Sequence, residues 1–88
     1  MIPTAELPEH RLKRLKMRSM RRGIKEMDLI LTAYADASLP DMKERALILY
    51  DALLNENDQD LYQWVTGQVP TPDPYGDLIA DISQSLQK

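Results

Sequence analysis

Apolar residues recur along this chain at three- and four-residue spacing, in stretches separated by proline, glycine and short polar runs. That period puts side chains on one face of a helix, and no stretch alternates polar and apolar long enough to predict a strand. A first helix is expected from Pro8, which suits a first helical turn, to about Met20 or Arg21, with Leu12, Leu15 and Met20 as a thin apolar stripe. A second follows Gly23 and runs to about Ala37, with Ile24, Met27, Ile30, Leu31 and Tyr34 at helical spacing. Ala33 and Ala35 there allow close approach of a neighbour. A third, about Pro40 to Leu54, contains "ALILYDALL"; it is apolar on most faces and is expected at the centre. A fourth, about Gln59 to Thr66, is capped by Asn57 or Asp58, turns Leu61, Trp64 and Val65 inward, and stops at Gly67 in a left-handed cap. "QVPTPDP" reads as an extended loop, after which Asp73 caps a fifth helix that starts at Pro74 and carries Tyr75, Leu78, Ile79, Ile82 and Leu86. The expected fold is all-α, a compact bundle of five short helices.

With 88 residues the chain is one domain, 1–88, of which residues 1–7 are expected to be a flexible end. An apolar share of 43% against 28% charged places it with globular chains and not with disordered ones. Phenylalanine is absent, so core volume comes from Leu, Ile, Met, Ala, Trp64 and four tyrosines. Cysteine is absent too, which excludes disulfides and thiolate metal sites and fits a reducing compartment. No apolar run approaches the roughly 20 residues of a membrane span. "MIPTAELPEH" has neither the apolar core of a secretory signal nor the arginine-rich, acid-poor make-up of a transit peptide. The location expected is cytoplasmic, and the default state a monomer.

The net charge of −3 hides an asymmetry. Arg11, Lys13, Arg14, Lys16, Arg18, Arg21, Arg22 and Lys25 crowd the N-terminal part, whereas from Ala46 onward Lys88 faces seven acids. Such a chain suggests a basic face that meets an acidic or phosphate-rich partner; a solvated helix is the commoner outcome of a charge run. Catalytic chemistry finds little support. His10 is the sole histidine. Glu26 and Asp28, two apart on a helix, diverge and cannot act as a carboxylate pair. "NENDQD" resembles a calcium loop but lacks its turn glycine and closing glutamate, and helix capping explains it better. The expectation is a protein that is not an enzyme, with no metal site.

The stretch "RSMRRGIKEMD", Arg18 to Asp28, is the informative one. In a continuous helix Arg22 and Glu26 would form an ion pair worth a few tenths of a kcal/mol, in the poorer orientation. Gly23 in a helix interior costs about 1 kcal/mol relative to alanine, which the pair cannot offset. Arg21 and Lys25 would also repel. A break at Gly23 accounts for these residues better: glycine supplies a positive φ and bare backbone, and Arg22 and Glu26 project near a corner. Exposed arginine beside exposed backbone suits recognition of carboxylates or peptide carbonyls.

"RRGIKEMD" resembles the Arg-Gly-x-x-Glu signature of the SdhE family of succinate dehydrogenase flavinylation factors, with Arg22, Gly23 and Glu26 matching and Asp28 at a commonly acidic position. "LYDALLNENDQDLYQWVTG" is similar to a second family segment, through Asp58, Asp60, Leu61 and Trp64. The resemblance covers about Arg11 to Gly67 and implies a five-helix fold. It further implies an assembly factor that binds the flavoprotein subunit of succinate dehydrogenase, with fumarate reductase as a further client, and promotes covalent FAD attachment. It implies as well that the client supplies the histidine that bonds the 8α carbon of the flavin. On this reading Arg21, Arg22, Gly23, Glu26 and Asp28 form the partner-binding site, and the chain carries no cofactor; FAD belongs to the client. The alternative is a small nucleic-acid-binding or antitoxin-like regulator that uses the basic first helix; on the first reading no nucleic acid is expected. A third reading is a generic adaptor that sets its basic face on an acidic protein.

Overall fold

A computed structural model describes residues 6–86. The expected flexible end falls mostly on residues 1–5, outside the described residues; Glu6 and Leu7 lead into the first helix. Among the described residues there are five α-helices and no strand: α1 Pro8–Ser19, α2 Lys25–Ser38, α3 Glu44–Leu53, α4 Asp58–Val65 and α5 Gly76–Ser85. The all-α, five-helix expectation holds, but three details of it change.

The first concerns the centre. The backbone of α2 is the one that lies close to α1, α4 and α5 alike, so α2 and not α3 is the middle of the bundle. Its sequence explains this: Met27, Leu31, Tyr34 and Ala35 recur on one face and are buried. Ala35 admits the neighbour, whereas Ala33 faces solvent. Helix α3 and its cap bury Tyr50, Leu53 and Leu54, pack Leu47, Leu49 and Ala52 half-buried against the core, and leave Ile48 exposed. Apolar residues on most faces of a helix therefore did not mean burial on most faces.

The second concerns where α3 starts. Leu39–Asp41 forms a separate 3-10 turn that holds Pro40, and the α-helix begins at Glu44. Proline tolerates that turn because its missing N–H has no intrahelical partner there. Leu39 is buried beneath α1 and α2 and anchors the turn.

The third concerns α5. Pro74 belongs to a turn closed by the Tyr75 N–H donating to the Pro72 carbonyl (3.0 Å), and the helix begins only at Gly76. Its stripe of Leu78, Ile79 and Ile82 is buried as predicted, and Leu86 is exposed.

Other features follow the sequence closely. Asn57 caps α4, its side chain accepting from the Gln59 N–H at 2.8 Å. Gly67 takes the left-handed conformation, φ 79°, that ends the helix. Leu61 and Val65 are buried; Trp64 is half-buried and stacks on Tyr75, ring centroids 6.1 Å apart. In α1 the inner face is Leu15 and Ser19, with Leu12 half-buried, and Met20 turns outward. Ser19 is fully buried because its hydroxyl donates to the Leu15 carbonyl (2.8 Å) and bonds the Tyr50 hydroxyl (2.6 Å). Ser19 has one proton to give, so Tyr50 is the donor in the second bond.

Candidate partner-binding corner

The chain breaks between Ser19 and Lys25, as the energetics of Gly23 predicted, but the glycine works differently from expectation. The residue with positive φ is Arg21, at 56°. Its left-handed backbone is held by its own N–H donating to Asp28 Oδ2 at 2.9 Å, and Asp28 Oδ1 accepts from the Thr32 hydroxyl at 3.2 Å. Gly23 instead serves close approach. Its N–H donates to Asp58 Oδ2 at 2.6 Å, and a Cβ at this position would sit 3.1 Å from that same oxygen. A side chain there would press on the carboxylate that grips the backbone.

Arg22 does not face solvent. Its side chain is 11% exposed and folds inward to Asp58, Nε to Oδ1 at 2.7 Å. One terminal nitrogen donates to the carbonyls of Arg18 (2.9 Å) and Leu54 (3.2 Å), and the other lies 3.4 Å from that of Glu56. The carbonyl groups at the C-terminal ends of α1 and α3 carry the partial negative charge of helix C-termini, so the cation suits them. Asp58 stands at the first residue of α4, where an acid suits the helix N-terminus. One guanidinium and one carboxylate thus tie three helix ends together and hold the link into α2. The two motifs singled out in the sequence, Arg22-Gly23 and Asp58, close on each other in space.

Of the five residues assigned to the partner-binding site, Arg22, Gly23 and Asp28 spend their polar groups on the corner itself. Glu26, in the first turn of α2, and Arg21 are the two with exposed side chains. Met17 (61% exposed), Met20 (42%) and Leu29 (64%) stand on the same two helices and their link, outside the core.

The basic row is largely satisfied within the molecule. Arg11, Arg14 and Arg18 are three or four residues apart, hence on one side of α1, and that side runs along α3. Arg11 grips Glu44 with two bonds, 2.6 and 2.9 Å. Arg14 donates twice to Asp51, at 3.0 and 2.8 Å, and also to Glu6. Arg18 donates to Asp51 at 2.6 Å and to Asn55 at 2.6 Å. Lys16, on the other flank, pairs with Asp36 at 2.8 Å. Of the eight clustered cations, five pair with acids of the same chain, so the basic face expected to await a partner is mostly an internal seam. Lys13, Arg21 and Lys25 make no ion pair among the described residues. Hydrogen bonding from Arg14, reinforced by Arg18, holds the Asp51 carboxyl below the usual carboxylate range against the opposing effect of burial. Asp51 was legible as an anomaly: a single acid inside "LILYDALL" signals a cationic neighbour. Asp58 was noted as a cap and a motif residue, but its grip on Arg22 was not.

Among the described residues no cluster of His, Asp or Glu has metal-ligand geometry. In "NENDQD" Asn57 caps α4 and Asp58 holds Arg22.

The family described as the flavinator of succinate dehydrogenase matches residues 13–86, which include the corner, the Arg14 and Arg18 part of the seam and the core of all five helices. The chain belongs to this family. Three of its relatives are named succinate dehydrogenase assembly factor 2, mitochondrial. The one from Meyerozyma guilliermondii is 39% identical over 88 residues, covering 97% of this chain and 64% of the relative. The one from Drosophila grimshawi is 39% identical over 85 residues, covering 83% and 58%. The one from Aspergillus flavus is 47% identical over 60 residues, covering 68% and 20%. The chain spans less than two thirds of the length of each. The family is one of assembly factors and not of enzymes. Its named relatives are mitochondrial, so the comparisons do not carry the expected cytoplasmic location. No helix among the described residues is long and apolar enough to cross a membrane.

Proposed function

We propose that this protein binds the flavoprotein subunit of succinate dehydrogenase and promotes covalent attachment of FAD to it, with fumarate reductase as a second client. The observation that carries this reading is the corner: the family's signature residues build a rigid turn that leaves Glu26 and Arg21 in solvent. In this reading Glu26 accepts hydrogen bonds from the client and Arg21 donates to client carboxylates or carbonyls. Arg22 and Gly23 act indirectly, by fixing where α2 begins. Such preorganisation leaves less side-chain freedom to lose on docking.

On this reading the chain supplies no nucleophile. The client's histidine forms the bond to the 8α carbon of its own flavin. The factor holds the client so that histidine and flavin are aligned, which lowers the entropic part of the barrier. It carries no FAD of its own and leaves once the finished site closes. The adaptor and nucleic-acid readings both rest on a free basic face, and the pairing of Arg11, Arg14, Lys16, Arg18 and Arg22 removes most of that support.

The test is to produce the flavoprotein with and without this chain and view a denaturing gel under ultraviolet light. Flavin fluorescence on the subunit is expected only when the chain is present. Equal fluorescence in both lanes refutes the proposal.

A further inference from the structure

Helix α3 is too apolar for the position it occupies. Its inner face is Tyr50 and Leu53, yet Ile48 is 54% exposed and Ala46, Leu49 and Ala52 are only half-buried. These residues line two adjoining hollows of about 780 and 540 Å³ that share Arg45, Ala46 and Leu49, and so form one groove along the helix. The opposite wall is α5, through Leu78, with Tyr34 of α2 also lining the groove. A ten-residue helix such as α3 is about 15 Å long, enough to seat nearly three turns of another helix.

The walls differ in charge. Helix α5 contributes Asp77 and Asp81, four residues apart on one face, and the 3-10 turn adds Asp41. All three are exposed and make no ion pair among the described residues; Asp81 accepts from the Tyr34 hydroxyl at 2.6 Å. On the α3 side Lys43 and Arg45 are exposed, and Glu44 is already held by Arg11.

We propose that this groove is a second docking surface for the flavoprotein, and that it takes an amphipathic helix edged with Lys or Arg on the side that meets α5. This rests on the function proposed above. Apolar anchors spaced i, i+3, i+4 would fill the hollow beside Ile48 and Leu49, and basic residues four apart would meet Asp77 and Asp81. A second copy of this chain fits worse. A two-fold contact would bring the same acids against each other, in a chain of net charge −3. The groove lies between α3 and α5 at the C-terminal end of α2, and the corner lies where α1 meets the N-terminal end of α2, so the two surfaces hold the client at separate points.

The experiment places a photoreactive phenylalanine at position 48 or, separately, at position 29, whose exposed side chain stands one turn from Glu26 on α2, of the full chain, mixed with purified flavoprotein lacking bound flavin. The cross-linked peptide is then sequenced. Position 48 is expected to join a helix of the flavoprotein that carries Lys or Arg along one edge. In addition, Asp77→Lys and Ile48→Asp should each weaken binding by about tenfold, with a Tm lowered by only a few degrees, since Ile48 is half-exposed and Asp77 loses no partner but its place at the α5 N-terminus. A cross-link at 29 without one at 48, or binding within twofold of wild type in both variants, overturns the groove and leaves the proposed function standing. Failure of both positions to cross-link overturns both. A cross-link from 48 to a second copy of this chain, or to an acidic segment, also overturns the inference.

Discussion

Replacing Arg22 by alanine removes the one side chain that reaches three helix ends. In wild type its guanidinium makes a 2.7 Å charge-assisted bond to Asp58 and donates to the carbonyls of Arg18 and Leu54 at 2.9 and 3.2 Å. The 3.4 Å approach to Glu56 is too long to add much. Removing one partner of a buried ion pair costs about 3–5 kcal/mol, mostly because the other charge is left uncompensated. Here the side chains of Arg22 and Asp58 are 11% and 16% exposed, and Asp58 keeps the Gly23 N–H, so some water and one donor remain. We therefore expect about 2–4 kcal/mol for Arg22→Ala, a large part of the roughly 5–15 kcal/mol that stabilises a domain. At about 4–8 °C per kcal/mol for a chain of this size, Tm should fall by about 8–32 °C. Thermal and urea unfolding followed by circular dichroism measure this. A double-mutant cycle with Asp58→Ala should give a coupling of about 1–3 kcal/mol. A Tm loss under about 3 °C, or strict additivity in the cycle, would refute the bracket and return Arg22 to the role of a surface contact.

Glu26→Ala is the counterpart: it should leave stability within about 0.5 kcal/mol of wild type, because the side chain is exposed, yet reduce flavin attachment in the gel assay about tenfold or more. Gly23→Ala should destabilise by about 1 kcal/mol despite an accessible backbone conformation; Asp58, pinned by Arg22, cannot easily yield to a Cβ 3.1 Å away, and an unchanged Tm would refute this. Acid should loosen the seam between α1 and α3. The folded-state pKa of Asp51 is depressed, so its contribution is complete above the ordinary aspartate range and is lost as pH falls below about 4. Asp51→Asn should therefore flatten the acid limb of a Tm-against-pH profile, and an unaltered limb would count against the seam. Asn57→Ala should cost about 1 kcal/mol through loss of the α4 cap, read by urea unfolding.

Local chemistry was enough to define the elements. The 3.6-residue period found Leu15, Met27, Leu31, Leu61 and Ile82, and the caps at Asn57 and Gly67 depend on neighbours one or two residues away. The break before α2 was equally local, since it followed from the cost of Gly23 against a weak Arg22–Glu26 pair. Which of these residues face a partner was not local at all. Arg22 and Asp58 lie 36 residues apart and Arg14 and Asp51 lie 37 apart, and helix periodicity cannot say which side of α1 will meet α3. Nor could it show that "ALILYDALL" would sit at the edge of the bundle. Burial of an apolar helix depends on how many neighbours pack on it, and α2, with its narrower stripe and a buried Ala35, packs against more of them. The charge asymmetry was fully visible in the sequence. Only the tertiary fold turned it inward, because ion pairs close between helices wherever packing brings opposite charges within about 3 Å, at any separation along the chain.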